Sequence, residues 1–213
     1  RRGQHEREAV MIVERFGQRG TYVRCAAALL WLLLLAFAAG AHARSLELAP
    51  GSNEASLGAH LDYFHDTTAS DDLQTALSRV QKGEYAPVPG GNAAFGFQNG
   101  AYWFHTTVVN RNASEPRWML VQRYALSDHI DVYARYLDGR TVHMRSGDSL
   151  PFSARSIPYR HPNFRLDLPL DQPVELLVRV RSQSSMQVPL DLYTPSAFTS
   201  LSRDAQFIMG IYY

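Results

Sequence analysis

Three sets of residues in this chain have side chains suited to chemistry. The first is Gly147-Asp148-Ser149-Leu150, in which Ser149 would be an acyl-transfer nucleophile. A serine hydroxyl attacks only with a base beside it and an oxyanion hole to receive the developing charge. Here the run is followed by Pro151 and no Asp-x-x-His comes after it. Asp62-Tyr-Phe-His65 has that spacing but precedes it. A turn accounts better for the four residues: Gly147 supplies permissive backbone, Asp148 and Ser149 bond local amides, and Pro151 ends a strand. No catalytic residue is assigned.

The second set is the histidines at 60, 65, 105, 129, 143 and 161 with their acidic neighbours. None forms a His-x-His or His-x-x-x-His pair. Asp62 and Asp66 offer oxygen ligands of the kind calcium takes, but the Asp-x-Asp-x-Asp-Gly loop is absent. Solvated surface side chains are the default, and no metal or other cofactor is expected.

The third set joins aromatic rings to planar polar groups, the combination that stacks on sugar C–H faces and bonds hydroxyls. The rings are Trp103, Trp118, Tyr124, Tyr133 and Tyr159; the polar groups are Arg123, Asp131, Arg155 and Arg160. Core packing is the commoner use of the two tryptophans. That leaves Arg123, Tyr124, Asp131, Tyr133, Arg155, Tyr159 and Arg160 as candidate ligand-binding residues. A paired Arg and Asp equally suits a structural ion pair. Pro158-Tyr-Arg-His-Pro162 reads as an ordered loop able to rim a site.

These residues need strands to hold them. In Ile130–Tyr136, Ile130, Val132, Ala134 and Tyr136 share one face while Asp131, Tyr133 and Arg135 share the other, so one face is predicted buried and the other open. Asp138-Gly139 then marks a hairpin, with Thr141–Arg145 as the return strand. Further strands are predicted at Leu46–Leu48, Ala59–Phe64, Tyr102–Val109, Trp118–Leu126, Phe164–Leu168, Val174–Val180 and Val188–Tyr193. One short helix opens at Ser70-Asp71-Asp72, with Leu73, Ala76, Leu77 and Val80 on one face and Gly83 at its end. The fold class is therefore mainly β: an antiparallel sandwich or jelly roll with one short α-helix. Asn112-Ala113-Ser114 matches a glycosylation acceptor by chance.

The ends differ from the middle. Arg15, Arg19 and Arg24 precede an apolar run, Cys25–Ala39, and then the small-residue site Ala41-His42-Ala43. That order is a secretory signal peptide, and its run of about fifteen residues is shorter than the roughly 20 of a spanning helix. Residues 1–43 are read as this address, and Met11 is a candidate start within it. Cys25 is the only cysteine, so the exported part has neither disulfide nor thiolate site. From Arg44 onward fifteen Lys and Arg face seventeen acids, a net of −2, which argues against nucleic acid as a partner. At the other end Ser196–Arg203 reads as a short helix, followed by the wholly apolar and aromatic Phe207–Tyr213. That run is read as the start of a membrane helix, with a final core strand as the alternative.

The ordered landmarks resemble the type 2 extracellular sensor domain of bacterial seven-transmembrane receptors with diverse intracellular signalling modules. They are Phe95-Gly96-Phe97 with Tyr102-Trp103-Phe104, then Asn110, Trp118, Asp128-His-Ile-Asp131-Val-Tyr133 and Gly147–Phe152 with Arg155. Leu177-Val-Arg179-Val with Ser182, and Pro189-Leu190-Asp-Leu192, complete the set. The resemblance spans about Leu46 to Pro195. It implies a fold similar to carbohydrate-binding modules, a periplasmic location in an inner-membrane protein, and following membrane helices with a histidine kinase or diguanylate cyclase output. The partners it implies are a small-molecule or glycan ligand, a second sensor domain in a homo- or heterodimer, and the cytoplasmic membrane through the C-terminal helix. A secreted carbohydrate-binding or adhesive module without signalling is the other reading of the same residues.

Overall fold

Strand alternation builds the centre of the molecule. The computed structural model describes residues 45–151 and 155–211, with side chains through residue 203; the signal segment, Phe152 and Tyr212–Tyr213 lie outside the described residues. The strands are β1 (Leu46–Leu48), β2 (Glu54–Ser56), β3 (Asp62–Asp66), β4 (Ala86–Pro87), β5 (Ala94–Gly96) and β6 (Ala101–Asn110). Then follow β7 (Arg117–Gln122), β8 (His129–Arg135), β9 (Thr141–Ser146), β10 (Asn163–Asp167), β11 (Pro173–Arg181), β12 (Met186–Gln187) and β13 (Leu190–Tyr193). Sheet 1 has the order β4-β3-β6-β11-β8-β9, and sheet 2 the order β10-β7-β13-β2. Pairing is antiparallel except for β1, which runs parallel to the far end of β6. A two-stranded ribbon joins β5 and β12.

The two sheets meet through their alternate residues. Phe104 and Val108 of β6, Ile130 and Val132 of β8, and Leu176 and Val178 of β11 bury against Trp118 and Leu120 of β7, Phe164 of β10 and Leu192 of β13. Each burial removes apolar surface from water, worth about 1.5–3 kcal/mol per large side chain. Trp118 also donates from its indole N–H to the Glu115 carbonyl (3.1 Å), so its one polar atom is satisfied.

Helices cover the two outer faces. α1 (Leu73–Gln81) starts at Asp72, whose carboxylate accepts from the Thr75 N–H (2.8 Å), and it ends where Gly83 turns with φ +70°. Its Ala76 and Leu77 lie on Trp103 and Leu177, on the outer face of sheet 1. Hence β6 and β11 are buried on both sides over Ala101–Phe104 and Leu176–Val178, and those stretches are wholly apolar or aromatic. α2 (Pro195–Ile211) begins with Pro at its first position, behind Thr194, whose hydroxyl accepts from the Ala197 N–H (3.3 Å). Its Phe198 packs on Met119, Val121, Tyr159 and Tyr193, on the outer face of sheet 2.

The sandwich, the Asp138-Gly139 hairpin and α1 agree with the sequence expectations. α2 is longer than the predicted Ser196–Arg203 and stays helical through Ile211, so a final core strand at its end is overturned. No helix among the described residues is long and apolar enough to cross a membrane. The Ala59–Phe64 prediction splits into a single 3-10 turn at Gly58–His60 followed by β3. Asn112 is buried, its Nδ2 donating to the Ser52 carbonyl (3.1 Å), so Asn112-Ala113-Ser114 is a folded turn.

Candidate functional site

At one end of sheet 1, β3 and β11 finish while β6 and β8 begin, and the loops attached to these ends enclose a cleft of about 840 Å³. Its walls are Thr67–Ala69, Phe97–Gly100, Asp128–His129, Ser149 and Arg181–Gln183. Short, specific bonds shape each wall. The Asp66 carboxylate accepts from the Thr68 N–H (3.1 Å), the Thr68 hydroxyl (2.8 Å) and the Asp71 N–H (2.8 Å). Burial pushes that carboxyl up, but the Asp71 and Thr68 donors outweigh burial and hold it below its ordinary range. Its oxygens are thereby committed to the loop, and no group of three or more His, Cys, Asp or Glu side chains among the described residues forms a metal site.

The opposite wall is closed by Asp128. Its carboxylate accepts from the Gln183 N–H (2.6 Å), while its carbonyl accepts from the Ser149 N–H (3.2 Å). The Ser182 hydroxyl donates to the Leu126 carbonyl (3.1 Å). Glycine is required at two crossings. A Cβ on Gly147 (φ +141°) would sit 2.1 Å from the Asp128 oxygen, and one on Gly100 (φ +90°) would sit 2.3 Å from the Asp66 oxygen. Gly147–Leu150 is thus a turn, as the sequence suggests, though backbone N–H groups make its bonds. Ser149 is exposed, and among the described residues no histidine hydrogen-bonds to it.

Two side chains stand free at this cleft. Phe97 is 80% exposed, whereas Phe95, two residues earlier, packs between Tyr63 (4.7 Å) and Tyr102 (4.5 Å). The β5–β12 ribbon, with Gly96 at φ +71°, sends the two rings opposite ways. Arg181 is exposed and has no ion-pair partner among the described residues.

The outer face of sheet 1 continues from the cleft in cross-strand rows. Arg181 pairs with His129; the next row is Trp103, Arg179, Asp131 and Arg145; the next is His105, Leu177, Tyr133 and His143. Asp131 is 9% exposed and hydrogen-bonds to His143 Nε2 (2.8 Å), with the Arg145 (3.3 Å) and Arg179 (3.8 Å) guanidiniums in ion-pair range. Tyr133 stacks between Trp103 (6.0 Å) and His143 (4.3 Å), and burial, then the Asp131 charge, raises its hydroxyl pKa. The face expected to be open is therefore roofed by α1 over β6 and β11, and it opens toward β9 and the cleft. Trp103 and Trp118 are core.

The other five candidates lie with sheet 2. Arg123 follows β7 and contacts Asp191 (3.2 Å) beside Tyr193 in a shallow 260 Å³ hollow, with Tyr124 next in the chain. Arg155 donates to the carbonyls of Tyr159 and Arg160, fastening the 155–162 loop. The Tyr159 ring is buried edge-on to Phe198 (5.2 Å), and Arg160 is exposed. The seven residues thus form two groups, Asp131 with Tyr133 and the rest around the 155–162 loop.

A sandwich whose loops hold a polar, solvent-open cleft, with its outer faces under helices, has the form of a recognition module. The chain belongs to the 7TMR-DISM extracellular 2 family, whose model matches residues 58–194. It is accordingly an extracellular sensor domain of a membrane signalling receptor. Comparison with curated proteins gives no match.

Proposed function

We propose that this domain senses a small polar ligand of glycan type in the cleft at the end of sheet 1, and passes that occupancy to a histidine kinase or diguanylate cyclase through membrane helices beyond α2. The signal segment would deliver it to the periplasm. The observation that carries the reading is Phe97: a ring exposed at 80% beside a polar cleft. A ring held at the rim of a polar cleft is a flat apolar platform, and a sugar's C–H face suits it. Amide and hydroxyl groups of Gln98, Asn99, Ser149 and Gln183 would meet hydroxyls, and Arg181 and His129 would lead toward Asp131 and Tyr133. Binding would then shift the population between two arrangements of the domain.

The test is calorimetric titration of the chain with a panel of neutral mono- and oligosaccharides, repeated on Phe97→Ala. At least one sugar is expected to bind, and the variant to weaken it about tenfold or more with an unchanged melting point. A panel without a binder, or a variant that binds as well as the parent, refutes the reading.

A further inference from the structure

We propose that the cleft at the end of sheet 1 selects a carboxylated sugar, a uronate, over its neutral counterpart, and that Arg181 receives the carboxylate. This rests on the reading of the cleft as a sugar site and adds the charge class of the ligand. Arg181 and Asp128 are the one guanidinium and the one carboxylate on the described walls of the cleft. An Asp128 oxygen accepts from the Gln183 N–H (2.6 Å). The Arg181 side chain lies exposed with no hydrogen bond or ion pair among the described residues, and the His129 ring across from it on β8 is likewise unbonded. The other acids nearby have partners of their own. Asp66 accepts from Thr68 and Asp71, Asp71 pairs with Arg79 (2.6 Å), and Asp72 accepts from the Thr75 N–H (2.8 Å).

The next row inward is short of acceptors in the same way. Trp103, Arg179, Asp131 and Arg145 stand in register there, two residues or about 7 Å along β11 from Arg181. The Trp103 indole N–H and the Arg179 Nε are buried with no acceptor among the described residues. Arg179 also donates from Nη2 to the carbonyl of Ala69 (2.9 Å), in the cleft wall. Asp131, the one acid of the row, is already shared by His143, Arg145 and Arg179. The surplus at this end of the sheet is thus of donors: the Arg181 guanidinium, the Arg179 Nε–H and the Trp103 N–H. A sugar hydroxyl both gives and takes a hydrogen bond. A carboxylate only accepts, carries a full charge and fits the planar fork of arginine bidentately. Phe97 lines the same cleft, so one uronate can set its C–H face on that ring and its carboxylate on Arg181.

The test is calorimetric titration of the full chain in neutral detergent micelles with matched pairs, glucose against glucuronate and galactose against galacturonate. At least one acid is expected to bind tenfold or more tighter than its neutral parent, and Arg181→Gln to bring that ratio close to one without moving the melting midpoint. Raising sodium chloride from about 50 to about 500 mM should shrink the ratio in the parent chain, a reading that needs no variant. Acetate at the same concentrations should neither bind nor compete. The proposal is overturned if both acids bind no tighter than their neutral parents, if the ratio survives in Arg181→Gln or ignores salt, or if acetate matches the uronate. Equal binding within a pair leaves the sugar reading standing and removes only the charge preference; a chain that binds neither member of either pair overturns both.

Discussion

Phe198→Ala tests how α2 is held, because that ring is its principal anchor. Phe198 is 1% exposed among Met119, Val121, Tyr159 and Tyr193; the helix adds only Ala197 and Leu201, both partly buried, to that cluster. If α2 stays docked after the ring is removed, the chain holds a cavity, and a buried Phe→Ala costs about 3–5 kcal/mol. If α2 lets go instead, the loss is limited to the ring's transfer term of about 1.5–3 kcal/mol and whatever the two smaller side chains contribute. Release is the cheaper outcome. Hydrogen exchange is therefore expected to show residues 196–203 unprotected in the variant while β7 and β13 keep their protection. The melting midpoint should fall by about 4–10 °C, at roughly 2–4 °C per kcal/mol for a domain of this size. Phe198→Leu should recover most of both. An α2 that exchanges as slowly as the parent's, with an unmoved melt, would refute the idea that one ring holds the helix.

Three further outcomes are expected. Asp131→Asn should destabilise by about 2 kcal/mol in urea unfolding, because it strips the carboxylate from the largely buried Arg179, whereas His143 and Arg145 are exposed enough to lose little. Gly147→Ala should cost more than about 2 kcal/mol by thermal melting, since its Cβ would strike the Asp128 carbonyl; Gly139→Ala, at φ +84° with open space around it, should cost only about 1 kcal/mol, and equal losses would contradict the close-approach argument. For pH, His161 is depressed to about 4 from 6.5, so the folded chain binds fewer protons than the unfolded one between those values. Stability is then fully present above 6.5 and falls as pH drops toward 4, by at most about 3 kcal/mol and, with the ring half-exposed, nearer 1–2. Urea midpoints from pH 7.5 to 4.5 that stay flat, or that fall equally in His161→Gln, would contradict this; Glu175, held low first by the His105 hydrogen bond, adds its loss only below about 4.5.

The sandwich was legible because its strands obey simple rules. Ile130 to Tyr136 alternates at period two, and the structure puts Ile130, Val132 and Ala134 inside and Asp131 and Tyr133 outside. Asp138-Gly139 and Asp72 with Gly83 worked for the same reason: each needs only a local backbone shape that few residues supply. The short strands β2, β4, β5 and β12 carry no such pattern. Two or three residues hold less than one period, and their pairing is decided by partners far along the chain, as with Ala94–Gly96 and Met186–Gln187.

The site was legible in kind but not in place. The alternation of Ile130–Tyr136 put Asp131 and Tyr133 on the outer face of the sheet, as the structure does, yet nothing in a strand's period says that a helix formed some fifty residues earlier will lie over the same face. The seven candidates were gathered by chemistry alone, so they divide between two sheets that only the topology separates. Phe97 shows the converse. Its neighbour Phe95 has the same side chain, and what parts them is Gly96 at φ +71°, a backbone turn that puts one ring in the core and the other in water. An aromatic-Gly-aromatic run before a strand was therefore the available signal for an exposed ring. Read as a landmark it named a family; read as a conformational constraint it points to the residue on which ligand binding should depend.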